Sequence, residues 1–234
     1  MQVIILLLTG FALIMIWFGL PMMLRAFQTR QLHQACVARR AIALTYDDGP
    51  SADVTPQLSA LLGGRDTPAT FFVIGREIDK RGDVVDELRR QGHDVGNHTQ
   101  SHINAWKAGP LAAARDMTGC QRKFSRADAV PGLFRPPFGK ATVATVLQAI
   151  AMRLRFVYWT VDTQDSWNRR AIDSVIDELS TRGGGVVLMH DFSAPRRGPT
   201  PSRHKEYVLD LTAAIIDFAR QNDFQLVRVR DLLV

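Results

Sequence analysis

Residues 41–50 read AIALTYDDGP, an apolar run that ends in two adjacent carboxylates and a Gly-Pro turn. The run has the length and composition of a buried β-strand. Asp47 and Asp48 therefore lie where a strand meets a loop, the position at which α/β folds place chemically active groups. This stretch predicts both the first strand of the fold and a candidate site at its carboxyl end.

Apolar runs alternate with amphipathic stretches along the rest of the chain. Candidate strands lie at residues 41–46, 69–74, 93–96, 133–135, 156–161, 185–190 and 224–228. Candidate helices lie near residues 53–62, 83–91, 110–126, 140–151, 169–181 and 205–222. Seven strands that alternate with helices predict an α/β fold with a parallel sheet or barrel. In such folds the chemistry gathers at the carboxyl ends of the strands.

Polar residues follow five of the predicted strands, and core packing does not explain that pattern. They are Asp47 and Asp48 after the first strand, His98 and His102 after the third, Arg135 after the fourth, Asp162 and Asp165 after the fifth, and His190 after the sixth. We therefore expect a polar site on one rim of the sheet.

The residue types at this rim favour metal-assisted hydrolysis. His98 and His102 are four residues apart, a spacing that places both on one face of a helix. Together with one carboxylate of the adjacent pair Asp47 and Asp48 they make a divalent-metal site with open positions. The other carboxylate is then free to act as a base on water. A histidine held by a carboxylate, such as His190, is a natural proton donor to an amine leaving group.

The N-terminal residues 3–24 carry no charge and read VIILLLTGFALIMIWFGLPMML. As a helix this stretch is about 33 Å long, enough to span a bilayer. No Lys or Arg precedes it and no small-residue cleavage site follows, so we expect an uncleaved anchor rather than a signal peptide. We assign residues 1–24 to a transmembrane anchor, 25–39 to a basic connector and 40–234 to the catalytic domain.

The chain has a formal net charge of +6, which is compatible with nucleic acid, anionic lipid or an anionic substrate. No nucleic-acid-binding motif occurs, so the membrane or the substrate is favoured, and no protein partner is evident. Four arginines within residues 25–40 follow the apolar stretch. By the positive-inside rule they favour a single-pass protein of a bacterial inner membrane with its catalytic domain on the cytoplasmic side. Cys36 and Cys120 have no metal-ligand spacing.

Five motifs in order resemble the NodB-homology polysaccharide deacetylases, carbohydrate esterase family 4. The motifs are residues 45–50 (TYDDGP), 92–102 (GHDVGNHTQSH), 134–139 (FRPPFG), 162–167 (DTQDSW) and 187–191 (VLMHD). The resemblance extends from about residue 41 to residue 229. It implies a distorted (β/α)7 barrel, here preceded by one transmembrane helix. It also implies a hydrolase acting on carbon–nitrogen, non-peptide bonds, which removes an N-acetyl group from an aminosugar.

The resemblance also implies roles for single residues. The implied metal, zinc or else cobalt or nickel, would be bound by Asp48, His98 and His102. The implied catalytic residues are Asp47 as general base, Arg135 as the residue that orients it, His190 as general acid and Asp165 as the partner of His190. Contacts to the substrate or the oxyanion are implied for Tyr46, Phe138, Trp167 and Leu188.

Two positions depart from the family pattern. Phe138 stands where the family has tyrosine, which is compatible with an oxyanion contact through the backbone N–H. Ser166 separates Asp165 from Trp167, which are adjacent in the family. The second departure puts in doubt the usual position of the tryptophan and the role of Asp165.

The substrate is predicted from the basic segment after His190, residues 193–205. Arg196 and Arg197 within it could clamp the phosphate of a lipid-linked sugar. We therefore expect an N-acetylated glycan or a lipid-linked N-acetylhexosamine as the substrate, and an extracytoplasmic polymer such as peptidoglycan stays open. The alternatives are a deformylase or another amidohydrolase on an aminosugar lipid, and a glycan-binding protein without catalysis. Outside the motifs, we expect His204 to be solvated.

Overall fold

The computed structural model of the chain describes residues 2–124, 132–193 and 201–233. Its strands form one parallel sheet with the order β5-β4-β3-β2-β1-β7-β6, and a short β8 pairs with β1. The strands are β1 (Ala41–Asp47), β2 (Thr70–Val73), β3 (Asp94–Asn97), β4 (Gly132–Phe134), β5 (Leu154–Phe156), β6 (Val161–Asp162), β7 (Gly185–His190) and β8 (Gln225–Leu226). The predicted distorted (β/α)7 barrel is confirmed.

Helices connect the strands, as the alternating pattern predicts. They are α2 (Val54–Gly64), α3 (Gly75–Ile78), α4 (Gly82–Arg90), α5 (Pro110–Gln121), α6 (Val143–Ala151), α7 (Ile172–Arg182), α8 (Pro201–Gln221) and α9 (Val229–Leu232). In α8 the residues Val208, Leu211 and Ile215 recur at helical spacing, and all three are buried in the core.

The central strand β1 separates two cores because its side chains alternate between the two faces of the sheet. Ile42, Leu44 and Tyr46 pack into the larger core, together with residues of α2, α7 and α8. Ala41 and Ala43 belong to the smaller core inside the curved sheet. All seven residues of β1 are buried, which is typical of a parallel strand covered on both faces.

The predicted strand at residues 156–161 is wrong, because β5 ends at Phe156 and β6 begins only at Val161. The intervening backbone is engaged by a buried side chain instead of a regular ladder. Arg135 Nε donates to the carbonyl oxygen of Val157 at 3.1 Å, and Nη2 donates to that of Tyr158 at 3.5 Å. The backbone is thus held away from the strand path by a polar group that the local sequence does not reveal.

The N-terminal helix α1 runs from Gln2 to Arg39 without interruption, through both the predicted anchor and the predicted connector. Among the described residues it is the one helix long and apolar enough to cross a membrane. Its second half packs on the domain, since Leu32 and Cys36 are buried in the smaller core. The residues expected to form a connector are therefore helical and belong structurally to the domain.

The docking of α1 gives a stability prediction. Leu32→Ala removes a buried side chain and is expected to lower the free energy of unfolding by about 2–5 kcal/mol. Val37→Ala, on the same helix but 45% exposed, is expected to change it by less than about 0.5 kcal/mol. Urea unfolding in mild detergent, followed by tryptophan fluorescence, measures both. Equal effects of the two variants would show that α1 does not pack on the sheet.

Candidate active site

The two adjacent carboxylates reach the same side of the sheet because the strand ends between them. Asp47 is the last residue of β1 and continues the inward series of Thr45. Asp48 has a φ of 76°, a left-handed conformation that lets its side chain avoid the opposite face. Its backbone N–H still donates to the carbonyl oxygen of Phe72 in β2, at 3.2 Å. The turn thus places both carboxylates at the rim.

The expected helix carrying His98 and His102 is not present, and the two histidines lie on a loop after β3. Thr99 and His102 both have left-handed φ values, 67° and 58°. The Asn97 side chain accepts the N–H of Thr99 at 2.8 Å, and Asp116 accepts the Ser101 hydroxyl. These local bonds replace helical ones and bring the imidazoles together, with ring centroids 5.0 Å apart.

Asp48, His98 and His102 form a group that could hold a metal ion. Asp48 Oδ1 lies 3.3 Å from His98 Nε2 and 3.1 Å from His102 Nε2, and the three ligand atoms lie within 4.8 Å of one another. That oxygen is buried and accepts no hydrogen bond of good geometry. His98 Nδ1 donates to the Arg135 carbonyl oxygen at 2.8 Å, so the lone pair of Nε2 faces the group. These donors fit a divalent ion with nitrogen and oxygen ligands.

Electrostatics favour the metal-binding protonation states of Asp48 and His102, whereas at His98 burial is outweighed by the neighbouring carboxylates of Asp47 and Asp48, which raise its pKa. Burial alone would raise the pKa of Asp48, but its neighbours His98 and His102 hold that pKa well below its ordinary value. Burial lowers the pKa of His102 to about 4, against the opposing effect of Asp48. At neutral pH the group therefore offers a carboxylate and a neutral imidazole.

Asp47 is fixed by the fully buried guanidinium of Arg135. Arg135 Nη1 donates to Asp47 Oδ1 at 2.7 Å and to the Thr45 hydroxyl at 2.8 Å. The guanidinium carbon lies 4.2 Å from the ring centroid of Phe72. With Oδ1 engaged, Asp47 presents its other oxygen to the metal-binding group, 3.8 Å from His98 Nε2.

His190 and Asp165 form a buried pair on the other side of the site. Asp165 Oδ1 accepts from His190 Nδ1 at 2.8 Å, and Oδ2 accepts from the His190 backbone N–H at 2.8 Å. Burial of the imidazole lowers its pKa, but Asp165 outweighs burial, and the pKa of His190 rises to about 10. The ring is therefore protonated at neutral pH. Despite the Ser166 insertion, Asp165 still reaches His190.

A cavity of about 800 Å³ joins these groups. Its lining includes Asp47, Asp48, His98, His102, His190 and the predicted contact residues Phe138, Trp167 and Leu188. Phe138 has a left-handed φ of 59°, and its ring centroid lies 4.6 Å from that of His102. Trp167 is 61% exposed at the cavity edge. The structure thus brings together most of the residues predicted from the sequence.

Tyr46 is placed away from the cavity, contrary to the prediction. It belongs to the even-numbered series of β1, which faces the helices, so its ring stacks on Phe71 and its hydroxyl contacts that of Thr212 at 2.9 Å. Burial raises its pKa above the ordinary value. The alternation of side chains along a strand excludes Tyr46 from the rim that holds Asp47.

Two further expectations concern the basic segment. Arg196 and Arg197 lie outside the described residues. His204 is buried, not solvated. Its ring stacks on Phe192 with centroids 4.5 Å apart, and its Nε2 donates to the His190 carbonyl oxygen at 3.2 Å. It supports the strand end that carries His190.

Sequence reasoning missed three contributors to the site. Trp159 lines the cavity, but it lies in the stretch wrongly predicted as strand. Asp191 donates its backbone N–H to Asp47 O, and its buried side chain accepts from the Thr55 hydroxyl at 2.6 Å. Its position directly after His190 was the available signal. Arg25 reaches the rim from α1, where Nη1 donates to Gly139 O at 3.2 Å, and no local pattern points to that contact.

Comparisons with known proteins agree with this geometry. The sequence profile of the family described as Polysaccharide deacetylase matches residues 34–157. A chitooligosaccharide deacetylase of Bradyrhizobium sp. (strain ANU 289) is 27% identical over 86% of this chain and 94% of its own length. A peptidoglycan-N-acetylglucosamine deacetylase of Bacillus cereus is 28% identical over 83% of this chain and 88% of its own.

Solved structures extend the likeness to three dimensions. The crystal structure of the Bc1960 peptidoglycan N-acetylglucosamine deacetylase superposes with a TM-score of 0.71 and 25% identity. The match covers 84% of this chain and 89% of that one. A family 4 carbohydrate esterase from Streptomyces lividans, in complex with acetate, gives a TM-score of 0.66 and 26% identity over 79% and 90%. The chain belongs to the polysaccharide deacetylases of carbohydrate esterase family 4 and is a hydrolase of that family.

Proposed function

We propose that the protein is a metal-dependent deacetylase that hydrolyses the N-acetyl group of an N-acetylhexosamine in a glycan or a lipid-linked sugar. One observation carries this function. The oriented carboxylate of Asp47 and the protonated imidazole of His190 line the same cavity as the group Asp48, His98 and His102. The names of the relatives, which specify chitooligosaccharide and peptidoglycan N-acetylglucosamine, support an aminosugar substrate.

Hydrolysis of an amide needs a base, an acid and stabilisation of the oxyanion. A divalent ion, zinc in this proposal, would be held by Asp48, His98 and His102 and would supply Lewis-acid activation of the acetyl carbonyl and of water. Asp47 takes the proton of the attacking water through its unengaged oxygen, while Arg135 holds the other. The backbone N–H of Phe138 is the candidate donor to the oxyanion.

The leaving group is an amine, which departs only after it is protonated. His190 donates that proton from Nε2, since Nδ1 is engaged with Asp165. The new C–O bond comes from water, the C–N bond breaks, and the products are acetate and the free amine of the sugar. Asp165 keeps the imidazole in the required tautomer and stabilises its charge.

The location of the enzyme is part of the proposal. The apolar first half of α1 would anchor the protein in the bacterial inner membrane by a single span. The arginines in residues 25–40 support the cytoplasmic side for the catalytic domain. A lipid-linked aminosugar is then an accessible substrate, and an N-formylated one is the alternative, which release of formate instead of acetate would identify.

Asp47→Asn is expected to lower kcat for acetate release about 10²–10⁴-fold, because an amide cannot accept the proton of water. The bound metal, measured by elemental analysis, is expected to stay at the wild-type level, since Asp47 is not a ligand in this assignment. Asp177→Asn, an exposed carboxylate on α7, serves as the matched control. Wild-type activity of Asp47→Asn would exclude Asp47 as the general base.

Chelator treatment is expected to abolish acetate release, and added zinc or cobalt to restore it. His98→Ala is expected to lose both the bound metal and the activity, because it removes one of the three ligands. The control is His33→Ala, a half-buried histidine on α1 outside the cavity lining, which is expected to change neither. Undiminished metal content in His98→Ala would contradict the ligand assignment.

Asp165→Asn is expected to shift the alkaline limb of the kcat/KM profile to lower pH. His190 acts in its protonated form, so its activity is lost as pH rises through its pKa of about 10. Without the carboxylate, burial dominates and the pKa falls. We also expect kcat to fall about 10²-fold near pH 8.

The control is Asp162→Asn, which also replaces a carboxylate by an amide at the cavity. It should leave the alkaline limb of the kcat/KM profile at its wild-type pH. An alkaline limb that does not move in Asp165→Asn would exclude the Asp165–His190 pair as its origin.

A further inference from the structure

Helix α1 runs antiparallel to β1 and therefore points its N-terminal half past the catalytic rim. Arg39 ends the helix beside the first residue of β1, at the amino end of the sheet. Towards the N-terminus, the Gln28 side chain accepts the Tyr158 N–H at 3.2 Å. Arg25 then contacts Gly139 at the rim. From Arg39 to Arg25, the contacts of α1 thus move from the amino end of the sheet to its carboxyl end, where the catalytic rim lies.

Among the described residues, the part of α1 that precedes these contacts has a largely exposed apolar surface. Phe18 makes an edge-to-face contact with Trp106, with ring centroids 5.6 Å apart, on the loop that follows the histidines. Before that residue, the helix exposes large apolar side chains, namely Ile4, Ile5, Leu8, Phe11, Ile14, Met15 and Ile16. If this surface lies in a bilayer, as the proposed function requires, the catalytic rim faces the membrane.

A groove of about 580 Å³ separates α1 from α6 on the same side of the protein. Its lining is mainly apolar and includes Leu24, Phe27, Ile150, Leu154 and Phe156. This α1–α6 groove begins where the exposed surface of α1 meets the domain. Its volume lies within the usual range for small-ligand sites. A hydrocarbon chain could enter it directly from the bilayer.

Arg25 lies between the groove and the catalytic cavity. Tyr158 lines the groove and Trp159 lines the cavity. The Arg25 guanidinium carbon lies 5.3 Å from the first ring centroid and 4.9 Å from the second. The three sites lie in the order of the parts of a lipid-linked sugar. The groove suits the apolar chain, Arg25 suits the phosphate linkage, and the catalytic cavity suits the sugar.

We propose that the α1–α6 groove binds the hydrocarbon chain of a lipid-linked N-acetylhexosamine, with its phosphate linkage beside Arg25 and its sugar in the catalytic cavity. This inference rests on the proposed deacetylase function and names the substrate class of that site. Continuity of the groove with the membrane-facing helix favours a lipid over a second protein chain. The positive charge at the junction favours a phosphate-linked sugar over an uncharged glycolipid.

The test measures kcat/KM of the full-length, zinc-loaded protein in detergent on four probes. Three are N-acetylglucosaminyl diphosphate esters of methyl, geranyl and farnesyl alcohols, and the fourth is a soluble N-acetylglucosamine tetramer. The wild type is expected to gain at least about tenfold from methyl to farnesyl, because each added apolar unit enters the groove. Absence of this gain, with turnover of the tetramer intact, would overturn the groove assignment and leave the deacetylase function standing.

A matched pair of variants locates the effect. Ile150→Asp places a charge in the groove lining at a position that is 66% exposed. It is expected to abolish the gain with chain length and to preserve turnover of the methyl ester and the tetramer. Leu147→Asp, 61% exposed on the same helix but outside the lining, should keep the gain. An equal loss in both variants would assign the effect to the membrane surface and contradict the groove.

Arg25→Gln tests the phosphate contact. It is expected to lower kcat/KM about tenfold more for the three diphosphate esters than for the uncharged tetramer, which reports any effect that passes through Gly139. Arg30→Gln, an exposed arginine on the same helix, is the control. Parallel losses on esters and tetramer would mean that Arg25 only supports the rim. Failure to release acetate from every probe, with metal bound, would overturn the deacetylase function itself.

Discussion

The buried ion pair between Arg135 and Asp47 is the interaction on which the rest of the site depends. Arg135 follows β4, and its guanidinium crosses the inside of the sheet to the end of β1. It also donates to the carbonyl oxygens of Val157 and Tyr158, which lie in the irregular stretch between β5 and β6. Loss of either charge would leave the other buried and unpaired, which typically costs about 3–5 kcal/mol. One side chain thus binds the irregular stretch after β5 and orients Asp47, the proposed base.

The same residue links Asp47, the proposed base, to the proposed metal-binding group. The carbonyl oxygen of Arg135 accepts from His98 Nδ1, while its side chain binds Asp47. His190 and Asp165 repeat this arrangement across the cavity, with the backbone and the ring of one residue held by a single carboxylate. Each reactive side chain therefore has one polar atom engaged by the protein and one left for the substrate. This arrangement fixes the direction of proton transfer before any ligand arrives.

Sequence patterns predicted the fold and most of the cavity because the chemistry lies at strand ends, which hydrophobic alternation locates well. They failed where backbone conformation decided the outcome. The histidine pair lies on a loop because Thr99 and His102 adopt left-handed φ values that are stabilised by Asn97 and Asp116, which no spacing rule anticipates. Tyr46 adjoins Asp47 in the motif but faces the opposite core. The alternation of side chains along β1, not membership of the motif, decides the face on which Tyr46 lies.

Gly139 lies at the contact between α1 and the catalytic rim, where the packing leaves no room for a side chain. It has a φ of +63°, and a Cβ at this position would lie 2.8 Å from both Arg25 Nη1 and Trp159. Helix α1 and the loop that carries Phe138 are therefore closely packed at Gly139. In the membrane-anchored enzyme proposed above, tilt or rotation of α1 would be transmitted through this contact to the wall of the cavity. Bilayer thickness and composition would then change the shape of the catalytic cavity, and with it the activity of the enzyme.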